Sequence, residues 1–151
     1  MRLERDYEEL LRLFNKHKVK YCIVGAYALA FYILPRYTKD IDIVIEASLE
    51  NGEKIITALK EFGFAKLNLL ATDFSKEKEV IQLGYEPVRI DILTSIEGVS
   101  FKTLWKNKKT GIYGKQRVFF AGIFDLIKNK KSLNRPQDKA DLKALRTAKN
   151  K

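Results

Sequence analysis

The sequence predicts an α+β (mixed α/β) fold, one mixed sheet with helices packed on it, from three observations. Stretches of helical hydrophobic period alternate with short runs rich in branched apolar residues. At 151 residues and 46% hydrophobic content, the chain is the size of one domain and can bury a core. No internal repeat, low-complexity tract or linker divides it. A single domain over residues 1–151 is therefore expected.

The elements follow in order. Residues 2–17 carry Leu3, Tyr7, Leu10, Leu11 and Phe14 at helical spacing. Tyr21 to Val24 is a short apolar strand closed by Gly25. Ala26 to Ile33 reads as a buried helix that stops before Pro35. Ile41 to Ile45 is a second strand, and Leu49 to Phe62 is a helix ending at Gly63. Phe64 to Leu70 and Val80 to Leu83 read as strands on either side of a polar turn from Asp73 to Lys78. Val88 to Leu93 is a strand that alternates around Arg89 and Asp91. Phe101 to Trp105 is a short helix, followed by a lysine-rich loop to Gly114 and a last short strand from Arg117 to Phe120. Phe124 to Lys131 and Pro136 to Lys149 are helices, with Pro136 in a first turn where its missing N–H is not needed. About 30 residues bury little core alone, so residues 122–151 are expected as a helical pair packed on the rest.

Composition narrows the function classes. No apolar run reaches the roughly 18 residues of a membrane span, and Met1 to Leu10 lacks the apolar core of a signal peptide. A cytoplasmic protein without membrane contact is expected. The single cysteine, Cys22, excludes an internal disulfide and sits in an apolar run, where burial is its expected role. With one histidine, His17, and one cysteine, a zinc site built on those ligands is excluded. His17, between Lys16 and Lys18, is expected as a solvated helix-end residue.

Charge is unevenly distributed. Residues 1–100 hold 14 Lys/Arg and 16 Asp/Glu, whereas residues 101–151 hold 15 Lys/Arg and only Asp125, Asp138 and Asp141. Two readings fit this basic half: a polyanion partner such as nucleic acid or a triphosphate, or a solvated, lysine-rich helical surface. Its aromatic residues (Phe101, Trp105, Tyr113, Phe119, Phe120, Phe124) fit a core as well as a stacking surface.

The chemistry-bearing segment is Lys39-Asp40-Ile41-Asp42-Ile43-Val44-Ile45. Strand side chains alternate, so Asp40 and Asp42 share one face while Ile41 and Ile43 point to the core. Two adjacent carboxylates resist joint ionisation, and a divalent cation with a preference for oxygen ligands, such as magnesium, relieves that conflict. Asp91 stands in a similar setting, Arg89-Ile90-Asp91-Ile92-Leu93. If the two strands are neighbours, three carboxylates meet, a set that can hold two metal ions for phosphoryl transfer, with Asp91 also available as general base. Taken alone, Asp-x-Asp fits an exposed sheet face paired with Lys or Arg better than it fits a metal site. Upstream, Gly25-Ala26 opens a helix, where small residues let backbone N–H groups approach an anion; a glycine required by the turn itself is the plainer alternative.

Taken together, Tyr21-Cys22-Ile23-Val24-Gly25-Ala26-Tyr27-Ala28-Leu29-Ala30 and Pro35-Arg36-Tyr37-Thr38-Lys39-Asp40-Ile41-Asp42-Ile43 resemble the DNA polymerase β-like nucleotidyltransferase superfamily, in particular its abortive-infection, AbiEii-type branch and small uncharacterised relatives. Leu126-Ile127-Lys128-Asn129-Lys130, followed by Arg135-Pro136-Gln137-Asp138 and Asp141-Leu142, resembles that branch's closing signature. The resemblance implies the nucleotidyltransferase fold and transfer of a nucleoside monophosphate from an NTP to an acceptor. It implies two Mg2+ ions (or Mn2+) on Asp40, Asp42 and Asp91, and nucleotide contacts from Gly25, Ala26, Arg36, Thr38 and Lys130. Arg135 and Asp138 are expected to tie the last helices to the sheet. The branch includes toxins of toxin–antitoxin pairs, with a cognate antitoxin as partner protein, and relatives that modify tRNA. This chain departs from the pattern at Ala26, where the family has Gly or Ser, and against the longer relatives it is expected to be a bare catalytic core. The alternative is therefore a catalytically degenerate member that binds nucleotide, nucleic acid or a partner protein.

Overall fold

The computed structural model describes residues 4–33, 40–64, 67–84 and 88–149. In chain order the elements are α1 (Arg5–Lys16), β1 (Tyr21–Val24), α2 (Gly25–Tyr32), β2 (Asp40–Ile45), α3 (Leu49–Phe62), β3 (Val80–Leu83), β4 (Arg89–Leu93), α4 (Phe101–Asn107), β5 (Lys109–Tyr113), β6 (Gln116–Phe120), α5 (Ile123–Leu133) and α6 (Pro136–Lys149). The six strands form one mixed sheet in the order β3-β4-β2-β1-β6-β5. The expected α+β class is the one observed. Among the described residues, no helix is long and apolar enough to cross a membrane.

Hydrophobic period explains the packing. Tyr7, Leu10, Leu11 and Phe14 of α1 are all buried, and the Phe14 ring lies 5.8 Å from that of Tyr21 in β1. The next residue, Cys22, points to the opposite face of the sheet, where its Sγ is 3.8 Å from the carbonyl of Leu104 in α4. Burial pushes the Cys22 thiol up to about 12, so it is an inert apolar side chain at neutral pH. Helix α3 starts on Ser48, whose hydroxyl accepts from the Asn51 N–H at 3.1 Å, and stops at Gly63 with φ 112°.

Two expectations are corrected. The strand expected over 64–70 is absent from the described part of that stretch. Asn68 has φ 53°, outside the extended range of a strand, and Leu67 and Leu70 are 44% and 63% exposed. A short 3-10 turn, Ala71–Phe74, follows and delivers Phe74 to the core. The lysine-rich loop expected before Gly114 is instead β5, paired antiparallel with β6 from Lys109↔Phe120 to Tyr113↔Gln116. It is an edge strand whose Lys109 and Ile112 face solvent. Charge on an edge is a usual protection against strand pairing between molecules, and it hides the strand from a hydrophobic pattern search. Gly111 belongs there because a Cβ would collide with Phe31 and Phe120, whose rings stack 4.3 Å apart.

Candidate active site

The site forms where three strand ends meet. β1 runs antiparallel to β2, and β4 runs parallel to β2. The end of β1 therefore lies beside the start of β2, at the same end of the sheet as the start of β4. Register pairs Val24 with Asp42, Asp42 with Asp91, and Asp40 with Arg89. The strand period then puts Asp40, Asp42, Asp91 and Arg89 on one face of the sheet, while Ile41, Ile43, Ile90 and Ile92 are buried on the other.

Gly25 sets the wall of this site. Its φ is +68°, and a Cβ there would overlap the Asp42 carboxylate oxygen Oδ2. Both the left-handed backbone and the close approach require glycine. Gly25 opens α2, and Ala26 follows it into a cleft of about 590 Å3 that also takes in Asp42, Lys130, Arg135 and Gln137. That volume is in the range of small-molecule and cofactor sites.

The three acids differ in environment. Asp42 is pushed up to about 6, first by burial, then by the charges of Asp91 and Asp40, against the opposing pull of Arg89 and Lys130. Asp91, only 7% exposed, is gripped by Arg89 through two parallel bonds: Nε donates to Oδ1 and Nη2 to Oδ2, each at 3.0 Å. The same guanidinium reaches toward Asp40, with Nη1 3.7 Å from Oδ2. Among the described residues, no three acidic, histidine or cysteine side chains are placed to hold one metal ion together. The donor set nonetheless fits a hard divalent cation: carboxylate oxygens on adjacent strands, with a mutual repulsion that such a cation would relieve.

Lys130 enters from α5 and is 8% exposed. Its Nζ lies 3.2 Å from Asp138 Oδ1 and 3.4 Å from Asp141 Oδ2, both on α6. Arg135 holds Asp138 from the other side, with Nε donating to Oδ2 at 2.7 Å and its backbone N–H to the same oxygen at 3.1 Å. These bonds keep Asp138 ionised well below the usual carboxylate range. Sequence reasoning expected contact between Lys130 and nucleotide and a tie from Arg135 and Asp138 to the sheet; the structure joins all three at the rim of the cleft, with Asp138 buried and Arg135 half-exposed, and the bonds tie α5 to α6. Arg36 and Thr38 lie outside the described residues. Arg89 was missed as a site residue. The signal was present, since a residue two before Asp91 in a strand must share its face.

No protein-family model and no curated protein sequence matches the chain. The fold is shared with solved structures. The lincosamide antibiotic adenylyltransferase LnuA, solved with lincomycin bound, has a TM-score of 0.60 at 16% identity, over 96% of this chain and 97% of its own. The antibiotic-resistance factor ANT(2'')-Ia has a TM-score of 0.54 at 11% identity, over 95% of this chain and 80% of its own. TM1012 of Thermotoga maritima, for which nucleotidyltransferase activity has been proposed, has a TM-score of 0.54 at 16% identity, over 99% and 96%. At such identities the likeness establishes the nucleotidyltransferase fold, and activity has to be argued from the site.

Proposed function

We propose that the protein is a metal-dependent nucleotidyltransferase that moves a nucleoside monophosphate from an NTP to a hydroxyl acceptor. The observation that carries this reading is the register pairing of Asp42 with Asp91 on adjacent parallel strands, beside a glycine turn that only an unsubstituted backbone can form. In the reaction the acceptor oxygen bonds to the α-phosphorus, the bond from that phosphorus to its bridging β-phosphate oxygen breaks, and pyrophosphate departs. Asp91 takes the proton of the attacking hydroxyl. Asp40, Asp42 and Asp91 would hold two Mg2+ (or Mn2+) ions, which supply neutralisation of the triphosphate and a lower pKa for the hydroxyl. Gly25 and Ala26 offer backbone N–H groups at the start of α2, and Lys130 adds positive charge. Arg36 and Thr38 are assigned to the nucleotide on the sequence resemblance.

The resemblance extends the proposal to tRNA as acceptor, and to a cytoplasmic toxin–antitoxin pair with a cognate partner protein. The lincomycin bound to LnuA extends it to small hydroxylated molecules. Labelled NTPs incubated with Mg2+ or Mn2+ and a panel of both acceptor classes are expected to give labelled product. Asp40→Ala and Asp42→Ala are each expected to reduce it by at least about a hundredfold, the scale seen when a group that stabilises the transition state is lost. Label transfer that survives both substitutions overturns the mechanism. NTP binding with no product from any acceptor favours the degenerate, binding-only reading, which Ala26 supports by offering phosphate no hydroxyl.

A further inference from the structure

The acids of the basic half are withdrawn from solvent. Asp125, Asp138 and Asp141 are 1%, 0% and 6% exposed. Asp125 accepts from Asn107, Asp138 is held by Arg135 and Lys130, and Asp141 faces Lys130. Among the described residues, the charged surface contributed by 101–149 is therefore of one sign. On α1 and α3, Arg12 pairs with Glu9, Lys54 with Glu50 and Lys16 with Glu61. The exposed cations of α6 have, among the described residues, no acid beside them on their own face. Lys139, Lys143 and Arg146, spaced i, i+4 and i+7, line a single groove with Leu142 and Thr147. Like charges at this spacing destabilise a helix. The helix dipole accounts for Arg146 and Lys149 near the C-terminus and leaves Lys139 and Lys143 unexplained.

We infer that this stripe of α6 is a docking surface for a nucleic-acid backbone, which carries its terminal hydroxyl to the cleft. The inference rests on the proposed transfer for the role of that hydroxyl, and on the charge arrangement alone for the binding. Position supports the link. Arg135 and Gln137, at the start of α6, line the same cleft as Asp42. From there the 14-residue helix extends about 21 Å. At its far end Lys149 Nζ lies 5.5 Å from the ring of Phe124, which is 62% exposed, an aromatic platform of the kind on which unpaired bases stack. A regular row of phosphates fits a row of cations with no acid between them, whereas a small acceptor uses only the cleft.

The test is fluorescence anisotropy on the full chain with a labelled RNA hairpin bearing a single-stranded 3′ end, and its DNA counterpart, without NTP or metal. Wild type is expected to bind with an affinity that falls as salt rises. The Lys139→Gln/Lys143→Gln/Arg146→Gln variant is expected to bind at least tenfold more weakly at 0.1 M salt. Its log–log salt slope should be smaller by about 2 to 3, roughly 0.7 to 0.9 per lost phosphate contact. Lys139→Arg/Lys143→Arg keeps the charge and is expected to bind like wild type. Absence of binding to both probes, or equal binding by the Gln variant, overturns the inference. Pyrophosphate release with small acceptors separates the two readings. If it persists without nucleic-acid binding, the surface is wrong and the transfer stands; stripe-dependent binding with no pyrophosphate release from any acceptor leaves the surface and removes the transfer.

Discussion

Arg89 and Asp42 hold the site in opposite ways. Arg89 is a built-in counter-ion: its fork on Asp91 and its approach to Asp40 compete with any cation those carboxylates would bind. Two unit charges at 4 Å interact by about 1 kcal/mol even at the dielectric of water. Arg89→Ala is therefore expected to bind Mn2+ at least about fivefold tighter, read from the free-ion signal in electron paramagnetic resonance; equal or weaker binding would show that Arg89 supports the acids more than it competes for them. Asp42 carries the repulsion that remains. Its pKa, raised to about 6 from 3.8, means that the folded protein keeps a proton the unfolded chain has already released. Stability of the metal-free protein then falls as pH rises from about 4 to about 6. The Asp42→Asn variant should lack that fall and be more stable at pH 8 by on the order of 2–3 kcal/mol. Urea unfolding in EDTA at pH 4 and pH 8 checks this, and a gap between variant and wild type that does not change with pH would contradict it. The three acids were legible because a strand alternates with a period of two residues. Arg89's place beside Asp91 can be read from the same period; its reach to Asp40 cannot, because that depends on β4 lying beside β2.

Between helices, the decisive contact is the clasp of α5 and α6 through Lys130, Asp138 and Arg135. Asp138 is fully buried and ionised. Its depressed pKa gives stability that is present above the ordinary carboxylate range and lost as pH falls through the folded value. Asp138→Asn leaves Lys130 with one acidic partner fewer and is expected to destabilise the protein at pH 7 by about 3 kcal/mol, the scale of a broken buried ion pair. The gap should narrow at pH 3, since there the unfolded wild-type chain takes up a proton that folded Asp138, still ionised, does not; urea midpoints at the two pH values measure it. Among the elements, α1, α3 and α6 were readable from apolar spacing, helical periodicity closed by a glycine, and a proline start. β5 was not, because an edge strand with Lys109 and Ile112 facing solvent has half of its pattern inverted. The stretch before the 3-10 turn was misread because Leu67 and Leu70 look like core and are surface.

At the scale of the molecule, charge and chemistry are sorted by region. The first hundred residues supply the sheet's acids and the glycine turn, and the last fifty supply Lys130 and the cationic stripe of α6. The uneven composition was visible in the sequence, but the burial of every acid in the basic half was not, since it needs α5, α6 and Asn107 to be packed together. Sheet order likewise escapes a local reading: β2 sits between β1 and β4, and β4 is reached only after α3, the 3-10 turn and β3. Cys22 gives this arrangement a built-in clock. It is the only thiol in the chain and is fully buried in β1 under α4, beside the strand that bears Asp40 and Asp42. A thiol reagent in solution reaches it only when that layer parts, so the rate of labelling times the opening of the sheet next to its carboxylates without any engineered probe.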